Sequence, residues 1–140
     1  MKSMFASAAV LLLCLATLAQ DKKTESYDGT WLPTKVMMGG QALPDEMMKD
    51  VKLTVKGDKY EVVFGGQVQK GTLTFDNKAT PKRVKIESKE GPDSGKTFSC
   101  IHETKGEEWT ICYAEGNEYP KEFKSPEGTM TLLITYKKAK

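Results

Sequence analysis

From Trp31 onward, apolar and polar residues alternate with period two, and the alternation is interrupted by Gly, Asp, Asn and Pro. That is the pattern of strands with one face buried. Val51, Leu53 and Val55 alternate with Lys52, Thr54 and Lys56, and Val84 and Ile86 alternate with Arg83, Lys85 and Glu87. Eight strands follow, at Thr30 to Met37, Val51 to Lys56, Lys59 to Phe64, Gln67 to Phe75, Lys82 to Ser88, Lys96 to Glu103, Glu108 to Ala114 and Thr129 to Lys137. One short helix is predicted over Pro44 to Asp50. Pro44 suits the first helical position, Asp45 and Glu46 suit the positive end of the dipole and Lys49 the negative end.

Gly57-Asp58, Gly65-Gly66 and Lys105-Gly106 are tight-turn signals between neighbouring strands. Consecutive hairpins make an up-and-down meander, whose two open edges vanish if the first strand pairs with the last. The expected fold is therefore all-β, an eight-stranded antiparallel up-and-down barrel, with a two-sheet sandwich as the alternative. Strand direction gathers the long connections, 38–50, 89–95 and 115–128, at one end with the Gly65-Gly66 turn. This predicts a mouth dressed by loops and a floor of mostly short turns, and loops on a rigid scaffold are where binding is commonly placed.

Residues 1–19 carry one charge, Lys2, then an apolar run ending in Thr17-Leu18-Ala19, the small-residue spacing of a cleavable secretory leader. The run is short for a membrane span, which needs roughly 20 apolar residues. Leu12 and Leu13 precede Cys14 where a lipidation signal wants small residues. The expected organisation is a leader over 1–19, a flexible segment over 20–27 and one barrel domain over 28–140, exported to the periplasm, cell envelope or exterior, with no transmembrane segment in the mature chain. Of the 21 Lys and Arg residues only Lys2 leaves with the leader, so 20 stand against 19 acidic ones. They are interspersed, which reads as a solvated surface and excludes the basic stripe of a nucleic-acid binder.

Gly29-Thr30-Trp31 opens the first strand with the G-x-W signature of lipocalins and their relatives. With "YDGTWLPTKV", "LTVKGDKYEV", "GTLTFD", "ICYAEG" and "YPKEFKSPEG", nearly all of the mature chain resembles a family of short, exported, lipocalin-like proteins known mainly from planctomycete genomes and of unassigned function. The resemblance implies that Trp31 packs across the closed end of the barrel beneath a cation from the last strand. Here Lys137 or Lys138 stands where lipocalins generally carry Arg. The long helix that follows the barrel in true lipocalins has no counterpart, so a transport role passes over by analogy alone.

The chemistry-bearing residues point away from catalysis. His102 is the single histidine and falls near the floor with Trp31, Tyr60 and Trp109, as a packed residue rather than a metal ligand, since a zinc site wants about three or four ligands. No nucleophile elbow or phosphate loop is present, and Glu115, Glu118 and Glu122 sit in a charged loop. Neither a metal nor a cofactor is implied, and the protein is read as a non-enzyme. A two-residue turn at Lys105-Gly106 pairs His102 with Trp109 and Cys100 with Ile111. Cys100 and Cys112 then point apart, whereas a three-residue loop sets them opposite each other. Lys35 turns inward on strict alternation from Trp31 and outward if Pro33 makes a bulge.

Two functions are therefore expected in competition. One is a barrel that holds a small apolar or amphipathic ligand at its loop-rich end, lined by Met37, Phe64, Phe98, Tyr113 and Met130. Met37, Met38, Met47 and Met48 either adapt to that ligand or seal the core. The other is a protein-interaction or inhibitor module of the cell envelope whose core is filled by its own side chains.

Overall fold

A computed structural model describes residues 26–139. Its strands are β1 (Gly29–Met38), β2 (Gln41–Ala42), β3 (Lys52–Lys56), β4 (Lys59–Phe64), β5 (Gln67–Asp76), β6 (Lys82–Glu90), β7 (Thr97–Lys105), β8 (Glu108–Glu115) and β9 (Leu132–Lys138). One helix, α1 (Asp45–Met48), lies between β2 and β3. All sheet pairings are antiparallel, and β1 pairs with both β3 and β9. The sheet is thus a closed eight-stranded barrel of lipocalin-like form, with β2 as an added two-residue strand beside the end of β1. The expected leader lies outside the described residues. No described helix is long and apolar enough to cross a membrane.

Closure divides β1 between two neighbours. Gly29–Trp31 pair with β3, while Trp31–Met38 pair with β9. The register shifts between Pro33 and Lys35, so the bulge resolves the direction of Lys35: its side chain is exposed and Val36 is buried in the core. Trp31 is opposite Lys138, whose ammonium lies 5.5 Å from the indole centroid. At this exposed position the contact is worth about 0.5 to 1 kcal/mol. Gly29 has φ +131°, and a Cβ there would lie 2.9 Å from the Lys138 side chain, so the glycine of the signature serves both the backbone and the lysine stem.

The β7–β8 hairpin differs from expectation by one residue. Gly106 and Glu107 form the turn, and Lys105 pairs with Glu108. Gly106 has φ +62°, which suits the first central position of a type II′ turn. Cys100 therefore faces Tyr113 and His102 faces Ile111. Every partner moves by two residues, which preserves the faces: Cys100, His102, Trp109 and Ile111 still belong to the interior. Cys112 is opposite Ile101 on the outer face, and both thiols are free and buried.

The floor is closed by a residue that the strand pattern leaves outside the barrel. Tyr27 is buried between Phe75, at 4.8 Å centroid distance, and Trp109, at 4.7 Å, with both pairs stacked. Its carbonyl accepts the Trp31 Nε1–H at 2.9 Å. Asp28 Oδ1 accepts the Gly57 N–H at 2.8 Å and ties the same segment to the β3–β4 turn. Such aromatic pairs contribute about 0.5 to 1.5 kcal/mol beyond burial. Truncating Tyr27 to Ala should cost about 3 to 5 kcal/mol, as for other buried aromatics, in a urea titration. A loss below about 1 kcal/mol would mean that the floor closes without it.

Candidate functional site

The interior is lined by packed side chains from floor to mouth. Above Tyr27 and Trp31 come Trp109, His102 and Tyr136, and then Cys100, Ile111, Val84, Leu53 and Tyr60. The Trp109 indole donates to His102 Nδ1 at 3.1 Å, and Tyr27 and Phe75 meet the imidazole edge-on. His102 is thus a packed, hydrogen-bonded floor residue. No group of three His, Cys, Asp or Glu side chains among the described residues is disposed to hold a metal ion.

Hydroxyl groups inside the barrel satisfy one another. Tyr113 and Tyr136 share a hydrogen bond of 2.9 Å, and Tyr60 shares one of 2.9 Å with Ser88. Burial pushes all three phenols above their ordinary range. Burial also pushes up the thiols of Cys100 and Cys112. A nucleophile needs the opposite shift, toward the thiolate at neutral pH.

The five expected ligand residues do not form one pocket. Phe98 and Tyr113 pack against the core. Phe64 is 55 % exposed and Met130 81 % exposed. Met37 follows the inward Val36 and so takes the outer face, opposite Leu133 of β9. Of the mouth methionines, Met48 packs with Leu43 against the core and Met47 is 57 % exposed. Leu43 is held there by its N–H, which donates to the Val36 carbonyl at 2.8 Å. The β2–α1 connection thus folds over the barrel end.

The last long loop takes an unexpected route. Instead of dressing the mouth, residues 116–131 run down the outer wall and back as a strap. Ser99 Oγ donates to the Gly116 carbonyl at 2.7 Å, and the Cys112 thiol reaches the carbonyls of Glu122 at 3.6 Å and Lys124 at 3.4 Å. On the return, Ser125 Oγ donates to the Thr131 carbonyl at 2.7 Å and accepts from Gly40 N–H at 3.3 Å. Beneath it runs an apolar row across four strands: Ile101, Cys112, Leu133 and Met37. The doubled apolar residues Cys100-Ile101, Ile111-Cys112 and Leu132-Leu133 signal in sequence that both faces of these strands are covered.

Two clefts lie on the outside of the barrel. One, of about 200 Å³, is formed by the β6–β7 connection and lined by Glu87, Ser88, Lys96 and neighbours. The other, of about 490 Å³, lies between the strap and β6–β7. There Arg83 stacks on Tyr119 at 4.4 Å. No protein-family model and no curated protein matches the chain.

The buried phenols and thiols set the alkaline behaviour. In the unfolded chain they ionise near their ordinary values, 9.0 for Cys and 10.0 for Tyr, while the folded barrel holds their protons to higher pH. Their contribution to stability is complete below about pH 9 and declines as pH rises beyond it. Tyr113→Phe should flatten that decline while costing about 1 kcal/mol near neutrality for the unpaired Tyr136 hydroxyl. Urea midpoints from pH 7 to 11 measure both effects, and an unchanged alkaline slope would mean that Tyr113 ionises as freely as in the unfolded chain.

Proposed function

We propose that this is an exported, non-catalytic binding module with a filled barrel, which engages another protein of the cell envelope through the rim of its loop-rich end. The observation that carries the reading is the gathering of exposed apolar side chains at that end. Met38 closes β1, Met47 rides on α1, Phe64 and Val68 flank the β4–β5 turn and Met130 precedes β9, and all are exposed. Clusters of exposed apolar side chains mark interaction surfaces more often than scattered ones do. Methionine and phenylalanine adapt well to an irregular protein partner.

Leu43 and Met48 pack against the core just below that rim. Burial supports a non-catalytic role, since it keeps the interior thiol and phenols protonated. Export rests on the leader-like residues 1–19, and the family on the resemblance of the strand segments to short lipocalin-like proteins.

A photo-crosslinking residue placed at position 47 or 64 in the native host tests the reading. A single discrete adduct is expected from the rim and none from exposed Thr74 on the wall. Phe64→Glu, which sets a charge in an apolar contact, should remove the position-47 adduct while the thermal midpoint stays within about 2 °C of wild type. A co-purifying small molecule without any adduct would instead favour a ligand-holding barrel.

A further inference from the structure

The outer cleft is separate from the rim and has a chemistry of its own. We propose that the cleft between the strap and strands β6 and β7 binds a small aromatic monoanion, a ring bearing one carboxylate. Its lining is mixed: Pro81, Pro120 and Tyr119 of the strap form an apolar part over the buried Ile101, and Thr80, Arg83, Glu118 and Lys121 form a polar part. Its volume, about 490 Å³, lies within the range of small-molecule sites, about 300 to 1,000 Å³.

Arg83 supplies recognition. Its guanidinium carbon lies over the Tyr119 ring, 4.4 Å from the centroid, and no ion pair among the described residues engages it. Asp76, the cross-strand neighbour of Arg83, accepts the Lys78 N–H in its own turn. A guanidinium ordered by stacking is prepared for a planar oxyanion, because its N–H donors form a fixed fork that matches a carboxylate.

Net charge selects the ligand further. Arg83 and Lys121 contribute two positive charges to the cleft and Glu118 one negative charge. The sum complements a monoanion and disfavours a phosphate diester chain or a polyanion. An uncharged ring would meet the same Ile101, Pro81 and Tyr119 wall but leave the guanidinium without a counter-charge.

Titration of the ¹⁵N-labelled mature chain with benzoate, and with benzyl alcohol as the same ring without charge, tests the proposal by NMR. Benzoate should move the amides of Arg83, Ile101 and residues 118–121 and saturate. Benzyl alcohol should bind about tenfold more weakly, as expected for loss of a charge-assisted contact. Arg83→Gln should weaken benzoate by a similar factor. Because that change also removes the stack on Tyr119, Lys121→Gln provides a second variant outside the stack, and a several-fold loss is expected. The strap amides of residues 122–125 should keep their wild-type positions in both variants. Equal affinity for acid and alcohol, shifts centred on Met38 and Phe64, no saturation, or unchanged affinity in both variants would each overturn the proposal.

Discussion

Trp31 must satisfy two demands at once, and the rest of the barrel depends on its doing so. Its backbone is the point at which β1 passes from β3 to β9, pairing with Leu53 on one side and Lys138 on the other. Its indole closes the floor, tilted against Trp109 at 5.1 Å and bonded to the Tyr27 carbonyl. A strand shared between two neighbours removes the sheet edges, and an aromatic plug at that place keeps water from the open barrel end. Above it the bulge at Pro33 returns Val36 to the interior. Closure and core packing are therefore consequences of one short stretch of chain.

Much of this architecture was legible in the amino-acid pattern, and the departures have definite physical causes. Period-two alternation located the eight barrel strands because each buries one face. It left Tyr27 out because a lone aromatic between Ser26 and Asp28 has no periodic neighbours. Lys35 was ambiguous because a single inserted residue reverses the facing of everything beyond it. The β7–β8 turn was misplaced by one residue because a glycine can serve either central position of a two-residue turn, yet the inward face survived a shift of two. The strap was missed because loop length does not encode route. The candidate ligand residues are spread over the barrel end for related reasons: Met37 follows the bulge to the outer face, and Phe64 and Met130 are exposed.

The distribution of chemistry across the molecule follows from that packing. Inside, burial holds the phenols of Tyr60, Tyr113 and Tyr136 and the Cys100 thiol protonated, which suits a stable scaffold. The exterior carries an apolar rim at the loop-rich end and a guanidinium over Tyr119 of the strap. The strap is tied at Gly116, Glu122 and Lys124 to buried side chains of β7 and β8, Ser99 and Cys112, on either side of the residues that line the outer cleft. Exposed methionines occupy one surface and a planar cation the other.

The central claim is that the barrel interior is filled and that binding belongs to its outer surfaces. Diffraction from crystals pressurised with xenon tests it most directly, because xenon enters empty apolar cavities without needing a polar partner. The account predicts no xenon on the barrel axis between Trp31 and Met48. A well-occupied xenon site there, among Leu53, Ile86, Phe98 and Ile134, would contradict it and return the function to the interior.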